Sequence, residues 1–485
     1  MIARRCLAVC TLFASSACTV MGPDYKRPPL PVPQTFEHTG PWRQAAPSDL
    51  IARGDWWRLF QDPVLDDLQE RARRSSPTLA IHVARIDQAR SIPGVAGSFQ
   101  YPDVGVGATA GRFGASGNRP DQPEKRPGNH EYQSGLYRAP ITAGYEIDLW
   151  GRVRRLNESA RAQADAALAE YQTVALSLEA EITTLYLRLR QTEEERRLIG
   201  ANLSLQRRAR DLTVARRNGG LATELDVARL DTELALTEAA AEDARRRRDD
   251  LELALASAVG EIPEGFHVAE SSFAGVPPVV PVGLPADLLE RRPDVVEAER
   301  RLVARNADIG VAQAAYFPAI RLTGSVGFES GELSQFLQGD SLIWSMGASL
   351  FQPVFNAGRL RFDAARAKAI HAEAVAQYRL RLLRAFREVE GALAALHSLD
   401  DQARLQEGAR TSAAKAVRIA ESRFRAGLVT VLEVIDAQRS GLRADREALA
   451  VRGNQMVTTV SLVKALGGGW EARSAEPARS AALSP

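Results

Sequence analysis

A single repeated spacing constrains this chain more than its composition does. Gly151 and Gly358 lie 207 positions apart (358 − 151), and the same offset joins Arg152 to Arg359, Tyr171 to Tyr378, Glu181 to Glu388, Gly220 to Gly427, Leu221 to Leu428, Thr223 to Thr430 and Leu225 to Leu432. Identities held in one register over such a span indicate an internal duplication, so the same supersecondary unit must be built twice. Upstream, Pro77 and Pro293, Gly94-Val95-Ala96 and Gly310-Val311-Ala312, and Pro102 and Pro318 pair at an offset of 216 (318 − 102). The nine extra residues (216 − 207) fall between Pro102 and Gly151, where the Pro/Gly-rich run from Gly117 to Asn129 reads as an exposed loop that tolerates insertion.

Each copy passes from strand to helix at its repeated glycine. In the first, Val104, Val106 and Ala108 alternate with Gly105, Gly107 and Thr109, and Tyr137, Ala139, Ile141, Ala143, Tyr145, Ile147 and Leu149 alternate with Arg138, Thr142, Glu146 and Asp148. In the second, Ile320, Leu322, Val326 and Phe328 alternate with Arg321, Thr323, Ser325 and Gly327, and Trp344, Met346, Ala348 and Leu350 with Ser345, Gly347 and Ser349. Four strands of roughly 10 to 14 residues, apolar on one face only, suit tilted barrel strands in a membrane. Tyr101, Tyr137, Trp150, Phe317, Trp344 and Phe351 stand at strand ends, where an interfacial aromatic girdle belongs. Two hairpins packed on a soluble core are the alternative.

Helical patterns fill the rest. A first helix should begin near Asp62-Pro63, where Asp caps and Pro suits the first turn. A second should run from about Thr78 to Ala96 with a kink at Pro93. From Arg152 to Asn218 there is no proline, and Gly200 is the only glycine. Such a helix reaches on the order of 100 Å at about 1.5 Å per residue. Tyr171, Val174, Leu178, Ile182, Leu185 and Leu189 form a coiled-coil seam along it. Asn218-Gly219-Gly220 ends it, and Thr223 caps a return helix to about Val259. The second copy turns at Arg425-Ala426-Gly427, with Thr430 as cap and a return helix to about Leu466.

Four strands cannot close a barrel, and open sheet edges are not tolerated in lipid. About eight strands is the practical minimum for closure. The chain must therefore oligomerise; three subunits give twelve strands, and strand count alone also allows two or four. The expected class is mainly α with a membrane β-barrel part.

The N-terminus reads as an export signal: Arg4-Arg5, an apolar Cys6 to Ala14, then the small residues Ser15-Ser16-Ala17 before Cys18. This resembles a bacterial lipobox with Ser15 at the usual Leu position, which makes Cys18 the expected lipidation site. Ordinary signal-peptidase cleavage nearby is the alternative. Cys6 and Cys10 leave with the signal, so the mature chain can form no internal disulfide. The proline-rich run from Met21 to Pro33 reads as an extended tether.

The expected organisation is a signal at 1–17, a tether at 18–54, and a first repeat at 55–265 with a β-hairpin about 101–150 and a helical hairpin about 152–259. A linker at 266–284, a second repeat at 285–470 (hairpins about 317–357 and 358–466) and a disordered tail at 471–485 complete it. Formal net charge is +2 with acids and bases mixed, which offers no stripe for nucleic acid. No later run of 18 or more apolar residues suggests a transmembrane helix.

The run from Pro281 to Val295, continuing through Ala298-Glu299 to Ile309-Gly-Val-Ala312 and Tyr316-Phe-Pro318, resembles the TolC-like outer-membrane efflux proteins. Gly22-Pro-Asp-Tyr25, Trp56-Trp57 with Phe60-Gln-Asp-Pro63, and Tyr145-Glu-Ile-Asp-Leu-Trp-Gly-Arg152 are similar to its lipoprotein branch, often called NodT-type. The resemblance covers nearly the whole mature chain. It implies a homotrimer with a 12-stranded barrel in the outer membrane and a periplasmic α-helical tunnel. It further implies a role as exit duct of a tripartite pump, met by a periplasmic adaptor and an inner-membrane transporter.

The same resemblance assigns sites. The hairpin tips, Gly220-Leu221 with Thr223 and Gly427-Leu428 with Thr430, would dock the adaptor; the bland reading is that they are helix caps alone. Leu432 and Asp436, one turn apart, resemble a constriction pair. Three carboxylates around a narrow axis would repel, hold cations and keep the aperture shut through surrounding salt bridges. Asp226 and Glu433, paired acids one copy apart, would contribute. No catalytic constellation is legible: the six histidines are scattered with no metal-ligand spacing. Gly105-Val-Gly107 lies in a strand pattern and Ser412-Ala-Ala-Lys415 in a helix. No enzyme activity and no cofactor are expected. The competing functions are a protein-secretion duct and a non-conducting coiled-coil lipoprotein.

Overall fold

Asp62 begins the helical part of the chain. Its carboxylate accepts from the amides of Val64 at 3.0 Å and Leu65 at 3.4 Å, and Pro63 fills the first turn, where no amide partner is needed. A computed structural model describes residues 20–29, 55–115, 132–271 and 292–468, with 273, 277, 278 and 280 between. After a 3₁₀ turn at Trp56–Phe60 come α1 (Pro63–Ser75), α2 (Pro77–Ser98, with Pro93 inside), β1 (Asp103–Val106), β2 (Thr109–Ala115) and β3 (Tyr132–Ile147). Then follow α3 (Arg152–Asn218), α4 (Glu224–Val259), α5 (Pro293–Ala314), β4 (Ala319–Ser330), β5 (Leu342–Phe351), α6 (Arg359–Arg425) and α7 (Val431–Ala465). The expected lipidation site Cys18, the insertion loop and the C-terminal tail lie outside the described residues.

The chain forms two compact units. One comprises the described N-terminal residues, Ile86–Ala167 and Ala298–Tyr378, and holds the sheet. The sheet is antiparallel in the order β1-β3-β4-β5, with β2 also pairing β3. What the alternation suggests as one first strand is two segments, broken at Gly107-Ala108, so five segments occupy four positions. The register puts like with like: Val106 pairs Ile141, Ile141 pairs Val326, and Val326 pairs Trp344. On the other face Ser325 and Ser345 meet at 2.8 Å between hydroxyls. The apolar face is bare: Val106 is 80 % exposed, Trp344 74 % and Met346 85 %.

The extended segment 20–29 is strapped to the same unit. Met21 N donates to Trp150 O at 3.0 Å, and Arg155 donates to Met21 O, to Gly22 O and to the Asp24 carboxylate. Arg27 forks onto Glu299 at 2.7 and 2.9 Å, and Tyr25 donates to the same carboxylate. At Gly22 (φ +92°) an added Cβ would lie 2.4 Å from the Gly310 Cα, so only glycine fits. Beside it Trp150 stacks on Phe317 with centroids 4.6 Å apart.

The second unit packs Trp56, Trp57, Leu65 and Leu68 against Ile182, Tyr186 and Leu189 of α3, Leu255 and Val259 of α4, and Val460 and Leu462 of α7. Arg73 lies 4.4 Å over the Trp57 ring and pairs with Glu179, which accepts from Trp56 Nε1 at 3.0 Å. No helix among the described residues is long and apolar enough to cross a membrane.

Candidate gate and docking tips

The two helical hairpins end in the same turn. In the first, Gly220 takes φ +75°, its amide donates to Arg217 O at 2.9 Å, and Leu221 N donates to Arg216 O at 2.8 Å. In the second, Gly427 takes φ +74°, its amide donates to Phe424 O at 2.9 Å, and Leu428 N donates to Arg423 O at 2.9 Å. Left-handed backbone explains the repeated glycine. Leu221 and Leu428 point outward, 82 % and 74 % exposed. Each tip therefore presents a lone apolar side chain beside a glycine with open space around it.

Beyond the turns the repeats differ. Thr223 closes a capping box with Asp226: its hydroxyl accepts from Asp226 N, and the Asp226 carboxylate takes the Thr223 amide at 3.0 Å and hydroxyl at 2.7 Å. The Thr223 amide and hydroxyl hold the Asp226 carboxyl below the usual carboxylate range. Asp226, expected as a contributor to the constriction, is thus engaged in a cap. Thr430 is the N-cap of α7 without a side-chain hydrogen bond. Glu433, the counterpart of Asp226, is exposed.

Under the tips a small core joins the repeats: Leu230, Phe424, Val431, Val434 and Ile435, flanked by Ala209, Leu212 and Ala420. Arg216 of α3 seals it. Its guanidinium lies 4.4 Å from the Phe424 ring centroid and donates to Phe424 O at 2.7 Å and Arg425 O at 3.2 Å. Both carbonyls lie in the last turn of α6, where the i+4 helical bonds run out, and Phe424 O also takes the Gly427 amide. Further along, Arg439 of α7 pairs with the buried Glu233 of α4, with Nε at 2.8 Å from Oε2. Glu195 of α3 accepts from Arg446 of α7 and Arg247 of α4.

Leu432 and Asp436 share the outer face of α7. Leu432 is 43 % exposed, and Asp436 is exposed three residues before Arg439, whose guanidinium is engaged by Glu233. Arg439, Arg443 and Arg446 continue that face toward Glu195 around a recess of about 550 Å³. The structure brings Leu432, Asp436 and Glu433 onto one helix turn and leaves all three uncovered in a single chain. Sequence reasoning missed Arg216, Glu233 and Arg439. The first carried a signal, since Arg216 and Arg423 also stand 207 apart (423 − 216); Glu233 and Arg439 have no such counterparts. Among the described residues no group of His, Cys, Asp and Glu could hold a metal ion.

Comparison with known proteins gives one answer. The family model for outer membrane efflux proteins matches residues 68–261 and 284–468. The pyoverdine export outer membrane protein OpmQ of Pseudomonas putida is 35 % identical over 453 residues, 92 % of this chain and 95 % of its own. The toluene efflux pump outer membrane protein TtgF of the same species is 31 % identical, covering 97 % of this chain and 98 % of its own. Among solved structures the outer-membrane channel OprN superposes with a TM-score of 0.86 at 30 % identity, covering 93 % of this chain and all of that one.

Proposed function

The chain belongs to the outer membrane efflux protein family, and on that premise we propose that three copies close one duct through which small molecules leave the cell. It is an outer-membrane channel, the outer component of an efflux pump. The observation that carries the trimer is the sheet. Its apolar face is bare, and β1 with β2 at one end and β5 at the other have unpaired outer edges among the described residues. A membrane accepts such a face and rejects such edges. Pairing β5 of one copy with the opposite edge of the next removes every edge, and three copies supply the strands of a closed barrel.

The helical hairpins carry the rest of the reading. Leu221 and Leu428, flanked by Gly220 and Gly427 and set by the caps at Thr223 and Thr430, suit docking of a periplasmic adaptor that links the duct to an inner-membrane transporter. Leu432 and Asp436, repeated around the axis, form an apolar ring and a carboxylate ring that narrow the periplasmic mouth, with Glu433 beside them. Asp226, which also closes the Thr223 cap, adds its carboxylate from the first hairpin. Acylation of Cys18 would hold the mature N-terminus in the membrane, and the strap from Val20 to Pro29 fits a segment tied down close to it. The cargo class is small molecules, as the pyoverdine and toluene pumps of its relatives suggest.

Purification in detergent, mass measurement and insertion into planar bilayers test this reading. A trimer with discrete conductance steps is expected. A folded monomer stable in water without detergent or lipid would overturn it.

A further inference from the structure

The two hairpin tips carry matching arginines, and only one is used within the chain. Arg216 is half-buried against the end of α6. Arg423, its counterpart 207 residues on, is exposed, and its guanidinium has no hydrogen bond or ion pair among the described residues. Their neighbours repeat the contrast. Leu212, one turn before Arg216, packs on the Phe424 cluster, whereas its counterpart Ile419 is 46 % exposed. Leu198 is half-buried, whereas Leu405 is 76 % exposed. At its C-terminal end one face of α3 is covered by the second repeat, and the same face of α6 is bare.

The acceptors repeat as well. Arg216 docks on Phe424 O, which also accepts from Gly427 N, and on Arg425 O. The counterparts are Arg217 O, which accepts from Gly220 N, and Asn218 O. In one chain a free donor stands on the second repeat and matching acceptors stand on the first. A ring of duplicated chains joins repeat two of each copy to repeat one of the next, head to tail.

We propose that Arg423 and Ile419 of one subunit dock on the C-terminal end of α3 of the next, with the Arg423 guanidinium donating to the carbonyls of the partner subunit's Arg217 and the partner subunit's Asn218. The joint between chains thereby repeats the Arg216 joint within each chain, and it rests on the trimer reading above. The two joints differ in strength. Where the inner joint has the Phe424 ring and Val431, the outer one has Arg217 and Glu224, which pair with each other at 2.6 Å, exposed to water. The inner joint is apolar with a cation over a ring; the outer one sets the Arg423 guanidinium beside an exposed ion pair of the next chain, so it is polar and open to water.

The test uses two full-length chains with tags of different size, co-expressed, one with Arg423→Cys and the other with Asn218→Cys, treated with a short bis-maleimide. An arginine's reach separates the two backbones, which is beyond disulfide distance. A covalent heterodimer band is expected within the trimers that form. The pair Arg216→Cys and Asn218→Cys serves as control and should give no heterodimer, because Arg216 is engaged within its own chain. Trimers without the Arg423–Asn218 band, or equal bands from both pairs, overturn the joint and leave the trimer standing. Absence of any trimer in the unsubstituted chain overturns the assembly itself.

Discussion

Arg216 and Phe424, on different repeats, hold the two helical hairpins of one chain together: guanidinium over ring at 4.4 Å, and guanidinium to carbonyl at 2.7 Å. A cation–π contact is worth about 0.5–2 kcal/mol depending on desolvation, and two carbonyls at the end of α6 gain a donor. Arg216→Ala should therefore loosen the tips by about 1–2 kcal/mol without preventing assembly. Basal conductance in bilayers should rise. Arg216→Lys should restore little, since an ammonium cannot both fork and lie flat on a ring. Equal leakage in the wild type and Arg216→Ala would remove this residue from the closed state.

Asp436 sits exposed on α7 one turn beyond Leu432. In the proposed trimer three such carboxylates would converge, and cations gather where like charges are confined. Asp436→Ala should raise closed-state conductance and reduce block by multivalent cations. Unchanged leakage and unchanged block would count against the gate.

The Thr223–Asp226 box gives the first tip a pH dependence. The Asp226 carboxyl is held below its ordinary value, so its stabilising effect is complete above the unfolded pKa near 4 and is lost as pH falls through the lowered value. The group is largely exposed and its effect is correspondingly screened. Amide exchange in the first turn of α4, corrected for intrinsic rates, should quicken between pH 5 and about pH 3. Asp226→Ala should abolish that change, since it removes the N3 half of the capping box. The second tip, where Thr430 makes no side-chain cap, should show no such step.

Trp57 is 1 % exposed and lies edge-on to Trp56 with centroids 6.1 Å apart. Trp57→Ala empties a site at the centre of the second unit's core and should cost about 3–5 kcal/mol. Thermal unfolding followed by near-ultraviolet circular dichroism reads the loss directly.

Met346 and Ser345 are adjacent on β5 and point to opposite faces of the sheet. Met346→Arg places a charge on the apolar face, at about 2–4 kcal/mol near the bilayer midplane. Assembled protein in outer-membrane fractions should fall sharply. Ser345→Arg should assemble and change conductance instead. Equal yields from the two variants would mean that the apolar face does not meet lipid.

Much of this architecture was legible because local chemistry and the repeat agree. Asp62-Pro63 states a helix start in two residues, and Asn218-Gly219-Gly220 states an end. Alternation such as Trp344, Met346, Ala348 fixes which side of β5 is apolar. The break in the first strand was not legible, since Val104 to Thr109 alternates straight through it. The contacts between repeats were also hidden. Glu233 and Arg439 face one another only because α4 and α7 pack side by side, and no spacing along the chain encodes that pairing. Asp226 shows what a repeat position leaves out: it pairs Asp226 with Glu433, while the contact with a threonine three residues earlier belongs to the first copy alone.

A ring made from six identical hairpins would have six identical seams, and loosening one would loosen all. Here the hairpins travel in fused pairs, and Phe424 is aromatic while its counterpart is Arg217. On the proposed trimer, fusion would let alternate seams diverge, those within a chain into permanent welds and those between chains into breakable latches.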